Sequence, residues 1–372
     1  MMEGEKAMKK ESSFIFKTIP YSLYTDPEVL KVEQELIFKK TWQIIGHEND
    51  IKKPGDFITC EVAGEPIVVV RDEDQIVRAF YNVCPHRATR LENNEAGNKK
   101  ILQCSYHGWT FHLNGKLHRA PNFKDNPCFC SDEITLKSIR CEVEGSLVFV
   151  NLDPNAPSLY ETYKDFFEDF KQFNFHNDLK QYNERVREIK CNWKAFIDNY
   201  LECDHCPIAH PGFTATLDMS KYQIINQSNC SVQGTQIKEN PGKQSLSLDM
   251  QTVEVKEGRF YWLWPNTMIT VYPGPGNISI IKMLPVDHET TRGVYQVYFK
   301  GGEPTPEQET LLAFADQVRI EDVVIVEREQ IGFRSEAYRE GILSPTEHGV
   351  LYFHNLIRES ILIKGKDLLV NR

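Results

Sequence analysis

The 372-residue sequence has no uninterrupted apolar run near the roughly 18–20 residues that a membrane span requires. Its longest apolar patches, such as Pro66 to Val70, have the length of buried strands. No apolar core follows the charged start from Met1 to Ser13, so no secretory signal is expected, and the segment reads as a loose arm. Positive charge is in deficit: 43 Lys and Arg against 53 Asp and Glu give a net charge of −10. That balance disfavours a broad basic face for nucleic acid or anionic lipid. Internal repeats and low-complexity tracts are missing as well. With 41% apolar and 26% charged residues, the composition is that of a globular protein. A cytoplasmic, soluble chain without nucleic-acid or membrane partners is the expectation. Ten cysteines are present. In a long chain lacking a signal, reduced thiols and metal ligands are expected rather than disulfides.

The length exceeds what one core usually organises, so two domains are expected. From Thr41 to Pro154 short β-rich runs alternate with turns. Phe57 to Val62 and Ile67 to Val70 are such runs, and Asn114-Gly115 is the strongest hairpin signal. Asp153 to Pro157 resembles a linker. Helical patterns follow at Ser158 to Phe173 and Trp193 to Leu201, then strands between Lys221 and Lys300, then a long helix from Thr305 to Gln330 with Pro306 in its first turn. The reading is α+β: an all-β domain over 41–157, and an antiparallel sheet covered by helices over 158–372. Residues 1–40 form an arm and an amphipathic helix (Ile15 to Lys40) expected to pack on the second domain.

Inside the β domain lie Cys84-Pro85-His86 and Cys104-Ser105-Tyr106-His107, a Cys-x-His and a Cys-x-x-His separated by seventeen residues. Two thiolates and two imidazoles on paired loops suit a Rieske-type [2Fe–2S] cluster, in which two His replace two Cys on one iron. A structural zinc site is the bland alternative, but zinc ribbons and fingers favour Cys-x₂₋₄-Cys knuckles.

A second constellation follows the stripe Trp193, Phe196, Ile197, Tyr200 and Leu201, which marks a buried helix face. Beyond it come His205 and His210, with Pro207 between them to turn the chain. Two imidazoles require a carboxylate to complete a 2-His-1-carboxylate face on Fe(II) that leaves positions open for O₂. In the long helix the inward row Leu311, Ala315, Val318 continues to Asp322 and then Val326. A carboxylate on an apolar row needs a partner, and a metal is one. Glu321 falls on the row of Phe314 and Gln317 and is the weaker choice. Cys203-x-x-Cys206 has no βαβ context and reads as bystander thiols, as do Cys128 and Cys130.

With these residues in view, the sequence resembles the oxygenase (α) subunit of Rieske non-haem iron oxygenases over nearly its whole length. The resemblance implies that Cys84, His86, Cys104 and His107 hold the cluster and that His205, His210 and Asp322 hold the iron. It also implies a homotrimer in which one subunit's cluster faces its neighbour's iron. Most members carry an Asp three residues before the first iron His, linking that His to the neighbouring cluster; here the position is Glu202. This departure is similar to the branch acting on quaternary ammonium compounds, as are the segments Trp262 to Met268 and Glu347 to Asn355. The implied activity is that of a monooxygenase fed by an NAD(P)H-dependent flavin/iron–sulfur reductase. Electrons would pass through His107, Glu202 and His205, and O₂ would be used to hydroxylate a carbon next to nitrogen in carnitine, γ-butyrobetaine, glycine betaine or a similar small molecule. C–N cleavage or N-demethylation would follow. A permanent cation is best met by aromatic faces; the candidate walls are Tyr200, Phe213, Tyr261, Trp262, Trp264 and Tyr272. The competing readings are an aromatic-ring dioxygenase of the same fold, a Rieske electron carrier and a zinc-stabilised binding module.

Overall fold

The computed structural model describes residues 16–123, 128–173, 176–240, 245–246, 253–301 and 304–363; the arm from Met1 to Ser13 lies outside them. The β domain is a seven-stranded antiparallel sheet made from β1 (Gln43–His47), β2 (Asp56–Val62), β3 (Glu65–Arg71), β4 (Val77–Tyr81), β5 (Ala96–Asn98), β9 (Ser138–Glu144) and β10 (Leu147–Asn151), in the order β1-β10-β9-β4-β3-β2-β5. A small three-stranded sheet, β6 (Leu102–Gln103), β7 (Thr110–Phe111) and β8 (Leu117–Arg119), lies between β5 and β9 in the chain. The Asn114-Gly115 turn joins β7 to β8. Gly115 has φ +88°, and a Cβ there would lie 2.5 Å from the Phe80 ring, so only glycine fits.

The second domain is a seven-stranded antiparallel sheet of β11 (Leu179–Ile189), β12 (Gln223–Gln227), β13 (Cys230–Gln236), β14 (Glu257–Leu263), β15 (Thr267–Val271), β16 (Asn277–Pro285) and β17 (Thr291–Lys300), in the order β11-β17-β16-β15-β14-β13-β12. Alternation along the strands gives it two apolar faces. Tyr261, Leu263, Ile269, Ile280 and Tyr298 point to one face, where Trp42, Phe149, Tyr163, Phe166, Phe167 and Phe170 join the β domain to the sheet. Phe260, Trp262, Met268, Ile281 and Tyr295 point to the other, which is covered by helices. The α+β reading of the sequence describes this architecture. The stretch read as one helix from Ser158 to Phe173 is two short ones, Leu159–Thr162 and Lys164–Phe170.

Four helices set the site: α1 (Pro27–Glu33), α2 (Trp193–Tyr200), α3 (Pro306–Phe333) and α4 (His348–Ile357). Asp26 caps α1 by accepting from the Glu28 N–H, and Asn192 caps α2 by accepting from the Lys194 N–H. Thr305 and Gln308 form a capping box on α3, with Pro306 in the first turn. The N-terminal helix is shorter than its amphipathic pattern suggested and runs on as a π-turn through Gln34–Phe38. It packs against the catalytic domain: Ile19, Leu23, Tyr24 and Val29 share a core with Trp193, Ile197, Phe353 and Ile357. The link is polar as well. Glu33 on α1 accepts from Lys194 Nζ and, at 2.8 Å, from Trp193 Nε1, and neither Glu33 nor Lys194 exposes any side-chain surface. At the far end of α2, a Cβ on Gly349 would lie 2.2 Å from the Leu201 carbonyl oxygen, so glycine lets α4 reach the turn that follows.

Breaking a buried ion pair leaves an uncompensated charge, at a cost of about 3–5 kcal/mol. Lys194→Met is therefore expected to lower the unfolding free energy in urea by about that amount, and Glu33→Leu combined with Lys194→Met to recover most of it. Equal losses in the single and double variants would contradict the coupling of α1 to α2.

Candidate metal centres

The two loops between strands of the β domain are built alike. Cys84 N–H donates to the Thr89 carbonyl at 2.8 Å, and Cys104 N–H to the Trp109 carbonyl at 2.8 Å. Each turn closes by a bond back to the Cys carbonyl, from Ala88 in one and Gly108 in the other, and both closing residues have positive φ. Cys84 and Cys104 are buried. The His86 and His107 rings lie 4.6 Å apart edge to face, and Trp109 stacks on His86 at 4.8 Å. Nδ1 of each of these histidines is buried with no hydrogen-bond partner. Burial, and then the Cys104 thiol beside it, hold the Cys84 thiol above the ordinary range. Two buried thiols beside two bare imidazole nitrogens are a poor arrangement for apolar packing, and they fit the Cys₂His₂ donor set of a Rieske cluster.

In the catalytic domain, α2 ends at Tyr200 and the chain turns through Glu202 to His205. It then forms the short helices Cys206–Ala209 and Pro211–Thr216, with His210 at their junction. This turn brings His205 Nε2 to 3.1 Å from His210 Nε2. From α3, Asp322 Oδ1 comes to 2.9 Å from His210 Nε2 and 3.7 Å from His205 Nε2. The expected row on α3 is present: Leu311, Ala315 and Val326 are buried, and Val318 and Asp322 face a cavity.

Each imidazole is held from behind by a carboxylate. Glu202 Oε1 accepts from His205 Nδ1, while its Oε2 meets the backbone N–H groups of Asp204 and His205. Glu321 Oε2 accepts from His210 Nδ1 at 2.8 Å, and Gln317 Nε2 steadies the other Glu321 oxygen at 2.8 Å. Protons kept on Nδ1 leave the Nε2 lone pairs pointing at the common centre, the tautomer a metal requires. Burial alone would lower the His210 imidazole, but Asp322 and Glu321 outweigh it and hold its pKa above the ordinary value. His205, His210 and Asp322 together could hold an octahedral metal on one face and leave the opposite face open.

The open side is a cavity. Tyr200, Phe213, Tyr222, Phe260 and Tyr272 wall it, with Ile281 and Val318; Asn199, Thr270 and Arg319 add polar groups.

Comparison with known proteins matches a family to each of the two domains. The Rieske [2Fe-2S] domain family matches residues 41–137, and the catalytic domain of the ring hydroxylating alpha subunits matches residues 175–362. The chain is 37% identical over 352 residues to the carnitine monooxygenase oxygenase subunit of Escherichia coli (strain K12), covering 92% of this chain and 93% of that protein. The chain belongs to the Rieske non-haem iron oxygenase α subunits, in their quaternary-ammonium monooxygenase branch.

Other relatives place this Rieske oxygenase among its neighbours. Chloroplastic choline monooxygenase of Arabidopsis thaliana is 30% identical over 357 residues, covering 92% of this chain and 83% of that protein. The crystal structure of the quaternary ammonium Rieske monooxygenase CntA with L-carnitine superposes with a TM-score of 0.83 at 34% identity, over 93% of this chain and 96% of that one. Naphthalene 1,2-dioxygenase from Rhodococcus sp. shares the fold, with a TM-score of 0.76 at 17% identity over 92% and 95% of the two chains.

Not every residue singled out in the sequence of this Rieske oxygenase reaches the cavity. Tyr200, Phe213 and Tyr272 line it. Tyr261 points to the opposite face of the sheet, where its hydroxyl donates to Asp169 at 2.6 Å. Trp262 shares the face of Phe260 but lies two residues further along, in a core with Trp193 and Phe353 under α4; its indole N–H donates to the Pro265 carbonyl at 3.1 Å. Trp264 lies beyond the strand end in the same core. Alternation identifies a strand's face and not how far along it the cavity extends. Cys203 and Cys206 are joined as a disulfide, a correction to the expectation of free thiols: the turn that tucks Glu202 behind His205 sets both sulfurs on one side. Asp204 accepts from Ser344 and Thr346 and so faces away from the imidazoles. Glu321, passed over as a ligand, meets His210 because two successive carboxylates on α3 grasp that ring at its two nitrogens.

Removal of a carboxylate behind a metal-binding His typically weakens metal affinity about 10- to 100-fold. Glu321→Ala is expected to lower Fe(II) affinity within that range in a metal titration, with the paramagnetic signal of the reduced cluster unchanged. Wild-type affinity would remove Glu321 from the site.

Proposed function

We propose that this protein is the oxygenase component of a two-component monooxygenase that hydroxylates a carbon next to the nitrogen of a quaternary ammonium substrate such as carnitine, γ-butyrobetaine or glycine betaine. The observation that carries the reading is the meeting of His205 Nε2, His210 Nε2 and Asp322 Oδ1 at the head of an aromatic-walled cavity. Cys84, His86, Cys104 and His107 hold the [2Fe–2S] cluster, and His205, His210 and Asp322 hold Fe(II). When bound, the cluster supplies single electrons and the iron binds and activates O₂.

The chain's own residues do the rest. Aromatic faces of Tyr200, Phe213, Tyr222, Phe260 and Tyr272 receive a cation that has no N–H to donate. The same walls exclude bulk water from the reacting carbon. Glu202 accepts from His205 Nδ1 and from the N–H groups of Asp204 and His205, and retains one lone pair for the imidazole N–H of the partner subunit's His107 in a homotrimer. Electrons come from NAD(P)H through a flavin/iron–sulfur reductase. Substrate, O₂, two electrons and two protons give a carbinolamine and water. The carbinolamine then breaks its C–N bond as its hydroxyl loses a proton, releasing a tertiary amine, an aldehyde and H⁺. Support for the quaternary ammonium class comes from the relatives named for carnitine and choline, together with the aromatic walls.

The deciding experiment is a single turnover: iron-replete protein is reduced chemically, exposed to O₂ and assayed by mass spectrometry against betaines, carnitine, choline and benzoate-type acids. A tertiary amine from a quaternary substrate is expected; products from the aromatic acids alone would overturn the substrate class. In iron-saturated protein, Glu202→Ala is expected to keep the cluster and single turnover but to lose reductase-driven turnover about 10- to 100-fold, as for a group that orients a metal ligand. Full steady-state turnover in that variant would remove Glu202 from the electron path.

A further inference from the structure

The polar wall of the cavity contains a feature that metal binding does not use. Arg319 lines the cavity from α3, three residues before Asp322 and so on the same side of the helix. It is 9% exposed. Its Nη1 donates to Asp316 Oδ1 at 2.5 Å, and its guanidinium lies over the Tyr295 ring at 5.3 Å. Nε and Nη2 are both buried and have no hydrogen-bond partner. These two nitrogens form one edge of the guanidinium plane, with parallel N–H groups spaced for the two oxygens of a carboxylate. The Thr270 hydroxyl, also buried and unpartnered, lines the same cavity. Leaving a buried donor unpaired is costly, more so for a charged group, so an edge with two such donors calls for an acceptor. Charge agrees. Asp316 is shared between Arg319 and Arg185, so one carboxylate faces two guanidinium groups. Among the described residues lining the cavity, Arg319 is the only Lys or Arg.

We infer that Arg319 is the anchor for a substrate carboxylate, so that this enzyme selects quaternary ammonium compounds that also carry a carboxylate over those, such as choline, that lack one. The inference rests on the proposed function and narrows it. The cation lies among the aromatic walls, the carboxylate closes on the Nε–Nη2 edge, and between them the carbon next to nitrogen is held toward His205, His210 and Asp322. Arg319 acts as a specificity residue at the end of the substrate away from the chemistry.

A double cycle on the holoenzyme tests this. Equilibrium dissociation constants of carnitine and of its methyl ester, which keeps the cation and loses the negative charge, are measured by calorimetry for wild type and Arg319→Gln. KM and kcat are measured for carnitine and choline. A charge-assisted hydrogen bond is worth about 10- to 100-fold in affinity. Wild type is expected to bind carnitine about 10- to 100-fold more tightly than the ester, and Arg319→Gln to bind the two about equally. KM for carnitine should rise in the variant while KM for choline stays unchanged. Arg319→Lys, which keeps the charge and loses the fork, should fall between them and serves if the Gln variant does not fold. Unchanged discrimination between carnitine and ester in either variant would overturn the anchor. If wild type binds and turns over none of carnitine, γ-butyrobetaine, glycine betaine and choline, the quaternary ammonium reading itself fails, a result distinct from loss of the anchor alone.

Discussion

Three lone-pair-bearing atoms, His205 Nε2, His210 Nε2 and Asp322 Oδ1, meet with separations of 2.9 to 3.7 Å. Such a meeting is unfavourable unless a proton or a cation is shared among them. Two further carboxylates hold the imidazoles so that these lone pairs stay aimed inward. Most of the catalytic domain can be understood as the framework that keeps two elements distant in sequence, the turn after α2 and the middle of α3, facing each other in this way.

That framework is polar as well as apolar. Asn192 caps α2, while its own N–H donates to Gln330 on α3 at 2.8 Å, fixing the two helices in register near one end. Arg334, just past the end of α3, holds Glu289 with two bonds of 2.7 Å, and Gln330 meets the same carboxylate. Lys194 and Glu33 tie α2 to the N-terminal helix, and Gly349 admits α4 against Leu201. The two ends of the His-bearing segment are thus clamped from separate directions, and the residues between α2 and Phe213 need little conformational freedom to hold a metal.

Much of the candidate site is legible in the sequence because its candidate ligands are local. Cys84 with His86, Cys104 with His107, and His205 with His210 each sit within a few residues, and each spacing implies one loop. Asp322 is remote, but a carboxylate on an apolar helical row is conspicuous. Glu321 was missed because row counting asks which residues face a core and not which can reach round a ring. The two tryptophans were placed on the cavity because strand alternation says nothing about position along the sheet, and α4 covers just that part. Tyr222 and Phe260 carry no signal of their own until the strands are in register. Arg319 illustrates the opposite difficulty: in a charged helix an arginine reads as solvated, and only its burial and its two unpartnered nitrogens set it apart.

The most direct test of the account is an iron and sulfide count on the anaerobically purified protein and on Asp322→Ala. The account predicts about three irons and two inorganic sulfides per chain in the wild type, and about two of each in the variant with the cluster's visible absorption intact. Retention of all three irons by Asp322→Ala, or loss of the cluster along with the third iron, would contradict the division of the chain into two separately built metal centres.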